Sequence, residues 1–431
     1  MTDYDNSQPR TFHIDTLGCK ANQYDSQRLA ESLRATGLTP AHDDESPDIV
    51  IVNSCTITHR SDRKCRKRAR RAARDNPDAT VIITGCYADS NRNALEDLEG
   101  VDAVFSREHW PALLEYATEQ PRNACTLPAA GDYGVTDYAG RTRAVLKIQE
   151  GCDHYCSYCI VPSVRGPRRS RSLEDAVQEA RRLAEAGFAE VVLTGIHLGQ
   201  YGEDTDDAVG LADAVRAISD VSGLHRLRLS SIKADEVTDD LLAAMQTPGV
   251  CLHLHLPLQS GDDRVLQRME RGYTVEQFLD TVRRAREALD RPAITSDVMA
   301  GFPGETDEMF ENTLDVCRRA RFSRIHVFPF SARKGTKAAE MTDKVHSKVK
   351  KRRCRRLQDL AERMAAEWAE SFVGERVEAL FEQHRDGCLN GYTARYTPIE
   401  ADGPEELVGA PVSVECRAAQ GDTLWAEVTD G

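Results

Sequence analysis

Apolar residues in the first hundred positions fall into short uninterrupted runs, and between the runs they recur every third or fourth residue. The runs at 11–17 (TFHIDTL), 47–55 (PDIVIVNSC), 79–86 (ATVIITGC) and 101–106 (VDAVFS) predict buried strands. NQYDSQRLAESLRATG at 22–37 predicts an amphipathic helix stopped by Gly37, and a strongly basic helix precedes the NPD turn at 76–78. Strands apolar on both faces and separated by helices belong to a parallel sheet covered on both sides. A polar connector at about 118–140, with Pro121, Pro128, Gly131, Gly134 and Gly140, then predicts a linker.

From Arg143 the alternation resumes with a longer repeat. Strands are predicted at 144–149, 190–195, 224–231, 251–259, 293–302 and 324–331. The helical pattern at 172–187 is capped by Ser172 and ended by Gly187. Six strand–helix units suggest a partial TIM-type barrel, (β/α)6 rather than the full eight. A long charged helix is expected at 339–369, and short strands in the last sixty residues, such as RVEALFEQ and GAPVSVECRAAQGDTLWAEV, predict a small β-barrel. The expected fold class is α/β, with an N-terminal parallel-sheet domain at 10–120, a barrel domain at 140–370 and a β domain at 372–431.

Composition alters this picture little: 40% hydrophobic and 29% charged residues are ordinary for a globular chain. No apolar run reaches membrane-spanning length, and MTDYDNSQPRTFHI lacks the blocks of a secretory signal, so a cytoplasmic protein with no membrane partner is expected. The net charge of −14 is unevenly placed, since RKCRKRARRAAR (63–74) and KVKKRRCRR (348–356) are basic islands. Each reads either as a solvated helix face or as a phosphate-docking patch.

Thirteen cysteines, an odd number scattered over a long chain, argue for metal ligands and free thiols rather than a disulfide framework. Cys152, Cys156 and Cys159 form C-x3-C-x2-C directly after the first barrel strand, on the face where such barrels place their active sites. No second pair of cysteines lies nearby to complete a zinc site. Three thiolates on a four-iron cluster leave one iron open for a substrate or cofactor. Cys19, Cys55 and Cys86 each follow a predicted strand, so a parallel sheet would bring them to one edge. Singly each reads as a small buried residue; jointly they read as a second three-thiolate cluster. Cys65, Cys125, Cys251, Cys317, Cys354, Cys388 and Cys416 show no ligand spacing and read as free thiols. His253 and His255 share a strand face without a carboxylate partner, a weak metal signal, while Gly301 and Gly304 suit a cofactor approach or a plain turn equally.

Together these residues resemble the radical S-adenosylmethionine methylthiotransferases over nearly the whole chain. The resemblance rests on C-x3-C-x2-C with its flanks GCDxxCSYCIVP and RG, on the three N-terminal cysteines, and on HLHLPLQSG (253–261) and DVMAGFPGET (297–306). It implies a 4Fe-4S cluster on Cys152, Cys156 and Cys159 whose open iron takes S-adenosylmethionine, and an auxiliary 4Fe-4S cluster on Cys19, Cys55 and Cys86. It offers Tyr158, Gly195, Ser230, Gln259, Asp297 and Gly301 as cofactor contacts, with no catalytic residue beyond the cluster ligands. Lys233 departs from the family pattern, where an acidic residue is commoner. The C-terminal domain is similar to the RNA-binding barrel called TRAM.

TLGCKANQYDS (16–26) and HVFPFSARKGTKAA (326–339) are similar to the branch that modifies N6-threonylcarbamoyladenosine beside the tRNA anticodon. The implied chemistry is cleavage of S-adenosylmethionine to a 5′-deoxyadenosyl radical, removal of hydrogen from adenine carbon 2, and its replacement by a methylthio group assembled at the auxiliary cluster. The implied partners are a tRNA anticodon arm, gripped by the β domain with the basic islands on phosphates, an electron donor such as flavodoxin or ferredoxin, and a sulfur source. The alternatives are a sister enzyme acting on isopentenyladenosine or a ribosomal-protein aspartate, a radical enzyme with an electron-transfer auxiliary cluster, and a non-enzymatic RNA-binding protein.

Overall fold

The computed structural model of the protein describes residues 10–42, 45–118, 135, 138 and 141–429. The extreme N-terminus, most of the connector at 118–140 and Cys125 lie outside the described residues. The chain divides into two compact units, one of residues up to 137 together with Cys159–Gly166, the other of Tyr138–Tyr158 with Pro167–Gly431.

The N-terminal unit is built on β1 (Thr11–Thr16), β2 (Thr39–Pro40), β3 (Ile49–Ser54), β4 (Thr80–Gly85) and β5 (Ala103–Val104), all parallel in the order β2-β1-β3-β4-β5. The central strand β3, IVIVNS, is buried along its whole length, as expected for a strand covered on both faces. Helix α1 (Lys20–Ala35) starts two residues before the periodicity alone predicts, with Cys19 at its N-cap. Helices α2 (His59–Asp75) and α3 (Cys86–Glu96) follow β3 and β4. Hydrophobic clusters flank the sheet, one around Leu29, Leu33, Ile51 and Leu113, the other around Val52, Cys65, Ile83 and Leu95.

The second unit begins with β6 (Arg143–Glu150), which pairs antiparallel with the two-residue edge strand β7 (Arg169–Ser170) and parallel with β8 (Glu190–Gly195). Beyond β8 lie β9 (Arg226–Leu229), β10 (His253–His255), β11 (Ala293–Ala300) and β12 (Arg324–Pro329). Parallel bridges Leu227↔Val250 and Ser231↔His255 join the two ladders, so six parallel strands run in sequence order as a partial (β/α)6 barrel. The run predicted at 251–259 pairs regularly over only three residues, because the chain turns into a loop where Gln259 takes φ 64°.

The helix expected at 339–369 is two helices, Lys337–Glu340 and Ser347–Glu370, separated by a segment in which His346 caps the second. The last strands, β13 (Arg376–Arg385), β14 (Cys388–Thr393), β15 (Pro398–Asp402), β16 (Pro411–Gln420) and β17 (Thr423–Val428), close into a barrel around Phe381, Leu389, Val414 and Leu424. This barrel belongs to the same unit as the six-stranded one. Buried Arg226 donates to Glu378 Oε1 at 2.7 Å, and buried Arg228 holds Glu190 at 2.6 and 3.0 Å while donating to Ala394 O at 3.0 Å. Tyr392 and Tyr396 stack at 4.8 Å, with the Arg143 guanidinium over both.

Candidate functional site

In the N-terminal unit the carboxyl ends of β1, β3 and β4 each deliver a cysteine to the start of a helix or the loop before one. Cys19 is the N-cap of α1, Cys55 follows β3, and Cys86 opens α3 directly after β4. A helix N-terminus favours a thiolate, so two of the three sulfurs start from an electrostatically suitable position. The turns that make this possible need glycine. Gly85 has φ 91°, and a Cβ there would lie 2.3 Å from Asn53 Oδ1 and 2.6 Å from Ser54 O. Gly18 has φ 106°, and a Cβ there would come within 3.0 Å of the Cys55 sulfur.

Asn22 organises the floor of this site. Its amide donates to Leu17 O at 2.7 Å and Ser54 O at 2.9 Å, tying two strand ends together, and its Oδ1 lies 3.8 Å from the Cys86 sulfur. Arg165, from the segment that packs with this unit, donates to Asn22 Oδ1 and pairs with Asp25 at 3.0 Å, with both charged side chains nearly inaccessible. Burial pushes the Cys86 thiol up to about 11, with the Arg165 and Arg107 guanidiniums opposing that shift. Cys55 is likewise raised by burial. The sequence contains the signal for Arg165 in the RG that follows the central cysteines, but nothing in its spacing couples it to residues 22–25. Cys65 is also close to Cys55, but it is enclosed in the hydrophobic cluster, and burial pushes its thiol to about 12.

The C-x3-C-x2-C loop leaves β6, with Cys152 and Cys156 in the second unit and Cys159 opening the segment grouped with the first. It is fixed by Ser157, whose N–H donates to Met269 O at 3.0 Å and whose hydroxyl donates to Arg268 O at 2.7 Å. The Cys152 sulfur is 3.4 Å from His197 Nδ1, and His197 Nε2 is 2.6 Å from Glu236 Oε1. Arg271 Nη1 donates to the Cys156 sulfur at 3.6 Å. Burial alone would raise the Cys156 thiol, but His154 and Arg271 outweigh it and bring it to about 7. Cys159 is partly exposed, as are Cys152 and Cys156. His197, Glu236 and Arg271 lie between 45 and 115 residues from the cysteines they serve, beyond the reach of local motif reading.

The candidate cofactor contacts divide into two groups. Ser230, at the end of β9, and Gln259 are buried, and Ser230 Oγ and Gln259 Oε1 have no hydrogen-bond partner among the described residues. Gln259 is held there by its backbone, which donates to Asp297 O at 2.8 Å. Tyr158 packs edge-on against Phe302. The other positions already have local partners. Gly195 is pressed against Gln149, where a Cβ would meet the side chain at 2.9 Å, and Gly301 donates to Glu305 from a left-handed backbone at φ 77°. Asp297 lies 3.5 Å from His255 Nε2, which supplies the carboxylate partner that the sequence pattern lacks; both His253 and His255 also bond Thr295 Oγ1 at 2.9 Å. Lys233 is buried and pairs with Asp235 at 2.7 Å, so an acidic group two residues on neutralises the departure from the family pattern.

Among the described residues no three His, Cys, Asp or Glu side chains converge on a single metal ion. A four-iron cluster asks for something else, since each thiolate binds a different iron and the sulfurs must be spread around a cube. Three thiols at adjoining strand ends, with a guanidinium and an amide beside them, fit that demand. For S-adenosylmethionine, whose ends are polar, the buried and unpartnered Ser230 Oγ and Gln259 Oε1 supply hydrogen-bonding groups of a fitting kind.

Two sequence profiles match the chain: the radical SAM superfamily over residues 146–317, and the uncharacterized protein family UPF0004 over residues 11–106. A threonylcarbamoyladenosine tRNA methylthiotransferase, MtaB, of Bacillus subtilis is 38% identical over 94% of this chain and 93% of its own length. The chain belongs to the radical S-adenosylmethionine tRNA methylthiotransferases. A tRNA-2-methylthio-N(6)-dimethylallyladenosine synthase of Mycobacterium marinum is 36% identical over 99% of this chain and 83% of its own. Enzymes of this family use S-adenosylmethionine and two 4Fe-4S clusters. The radical S-adenosylmethionine methyltransferase TsrM of Kitasatospora setae shares the fold, with a TM-score of 0.56, 16% identity, and coverage of 89% of this chain and 81% of that one. No described helix is long and apolar enough to cross a membrane.

Proposed function

We propose that this methylthiotransferase acts on N6-threonylcarbamoyladenosine beside the tRNA anticodon, placing a methylthio group on carbon 2 of the adenine. The observation that carries this reading is end-to-end coverage by the Bacillus relative whose name specifies that nucleoside, 94% of this chain and 93% of the relative. The 16–26 and 326–339 segments support the same branch. A second reading, the dimethylallyladenosine substrate, is supported by relatives 36–38% identical, one of them level with the Bacillus relative over a shorter span.

In this proposal Cys152, Cys156 and Cys159 hold the cluster that binds S-adenosylmethionine, while Cys19, Cys55 and Cys86 hold the auxiliary cluster. When bound, these groups supply radical generation and sulfur transfer. The protein's own residues position them. Arg271 and His197 stabilise negative charge on the central sulfurs, Ser230 and Gln259 take polar groups of the cofactor, and Tyr158 with Phe302 offers an apolar wall. Beside Cys86 stand Asn22 and Arg165, neither of them a thiolate or carboxylate, which favours an auxiliary cluster with an open iron over a fully ligated electron carrier. The closed C-terminal barrel is the candidate TRAM-like domain, and a cytoplasmic setting with a flavodoxin- or ferredoxin-type donor and a separate sulfur source completes the proposal.

Mass analysis of tRNA nucleosides decides the branch. Cells lacking the protein should lose 2-methylthio-N6-threonylcarbamoyladenosine and keep the isopentenyl counterpart. The reverse pattern transfers the assignment to the second reading.

A further inference from the structure

The two basic islands look alike in sequence but differ in what surrounds them. Helix α2 carries nine Lys or Arg among seventeen residues, against two carboxylates, Asp62 and Asp75. Its packing face is small, with Asp62, Cys65 and Ala69 buried. Asp62 is spent inward, accepting from Thr56 Oγ1 at 2.9 Å, and Asp75 is shared by Arg71 and Arg74 at the last turn. Arg68 reaches Asp15 at 3.5 Å, and Arg66 bonds the neutral Tyr87 hydroxyl. The side chains of Arg60, Arg63, Lys64, Lys67 and Arg70 have neither ion pair nor hydrogen bond among the described residues. Arg63, Arg66, Lys67, Arg70, Arg71 and Arg74 line one groove along the helix.

Such spacing repels. Arg63 and Lys67, Arg66 and Arg70, and Arg70 and Arg74 stand one turn apart, and Arg60, Arg63 and Lys64 crowd the positive end of the helix dipole. Among the described residues only Asp15 and Asp75 pair with the lysines and arginines of this face; a polyanion would relieve the rest of the field.

Helix Ser347–Glu370 is the internal contrast. There Arg353 is buried against Glu305 at 2.7 Å and Asp307 at 2.8 Å, Arg352 reaches Asp307, Arg356 holds Glu311, and Lys350 donates to Phe330 O. The second island is largely a fastening to the helix Asp307–Ala320. The C-terminal barrel is acidic, with four arginines against ten carboxylates between residues 376 and 429. The second island thus spends Lys350, Arg352, Arg353 and Arg356 within the fold and leaves Lys348, Lys351 and Arg355, whereas α2 leaves five cations open.

We propose that the exposed face of α2 is the docking surface for the phosphate backbone of the RNA substrate. This rests on the reading of the chain as a tRNA methylthiotransferase. Position gives the surface its purpose. Helix α2 begins four residues after Cys55, and Ile57 between them is 49% exposed. RNA seated along α2 is thereby led to the auxiliary cysteines, where the methylthio group has to be handed over.

The test is a titration of the reconstituted, full-length protein with tRNA at several salt concentrations. One variant carries Arg63→Gln, Lys67→Gln and Arg70→Gln; another carries Lys348→Gln, Lys351→Gln and Arg355→Gln. The α2 variant should bind about tenfold or more weakly near physiological salt, and its plot of log K against log salt should flatten by about two to three, since each of the three lost phosphate contacts removes about 0.7–0.9 of a released counterion. The second variant should keep the parent slope. Iron content and melting temperature equal to the parent's show that the fold is intact. An α2 variant with parental affinity overturns the proposal, as does weakened binding at an unchanged salt slope. A parent protein that binds no tRNA overturns the functional reading itself.

Discussion

The two cysteine triads reach the same number of thiols by opposite routes. The central one is local: three sulfurs within eight positions of one loop, anchored by Ser157 to the Met269 region. The N-terminal one is assembled from three strand ends, and it exists only when β1, β3 and β4 are in register and Asn22 joins their termini. A local site tolerates distant damage to the fold, whereas a site assembled by a sheet reports on the sheet.

The largest effects should come from the triads themselves. Alanine at Cys152, Cys156 and Cys159 should remove about half of roughly eight irons and abolish cleavage of S-adenosylmethionine, as two four-iron clusters require. Alanine at Cys19, Cys55 and Cys86 should remove the other half and abolish methylthio transfer while some cleavage persists. Iron analysis with 5′-deoxyadenosine release checks both, and a triple N-terminal variant that still modifies tRNA would break the division of labour.

Next in size is a change far from either triad. Glu190 lies at the opposite end of β8 from Gly195 and is buried between Arg228 and Arg226. Arg226 keeps its closer partner Glu378 at 2.7 Å, but Glu190→Gln removes the carboxylate that holds Arg228 and should cost about 3–5 kcal/mol, with the N-terminal triad's share of iron unchanged. Burial would raise this carboxyl, but the neighbouring arginines outweigh it and hold it below the usual range. A depressed folded-state pKa gives stability that is complete above the ordinary glutamate range and is lost as pH falls through the depressed value. The melting-temperature gap between parent and variant should therefore be widest near neutrality and shrink in acid.

A smaller effect should separate the assembled site from the local one. Gly85→Ala puts a Cβ against Asn53 and Ser54 in a left-handed backbone, a strain of about 1–3 kcal/mol. It should deplete the auxiliary iron and spare the central cluster, which iron counting with and without the central cysteines can resolve. The smallest expected effect is Cys65→Ala, about 1 kcal/mol of lost packing with full iron content. A loss of iron there would make Cys65 a fourth ligand and favour the electron-carrier alternative.

What could be read from the sequence follows the same division. The C-x3-C-x2-C loop needs no fold to be recognised, and the six barrel strands announce themselves as apolar runs. Cys19, Cys55 and Cys86 required an intermediate step, the inference of a parallel sheet whose carboxyl edge collects them. Arg165 with Asp25, and His197 with Cys152, were out of reach because their partners are 140 and 45 residues away. The break between Glu340 and Ser347 was missed because charged residues continue through it without a change of pattern. The two basic islands could not be told apart for a related reason. Charge is visible in a sequence, but the carboxylates that neutralise it, Glu305, Asp307 and Glu311, come from another helix and the loop that leads into it.

Arg226 and Arg228 bear on how this architecture can be recombined. Both belong to a strand of the six-stranded barrel, yet their hydrogen bonds end on Glu378, Thr393 and Ala394 of the terminal barrel. Stripped of those acceptors, buried Arg226 loses the carboxylate at 2.7 Å, and Arg228, though still held by Glu190, keeps buried N–H groups without acceptors. The terminal barrel is thus not an interchangeable cassette. A chimera grafting another chain's last sixty residues inherits a lock cut for these two arginines, and a seam drawn at the end of the long helix divides that lock from its key.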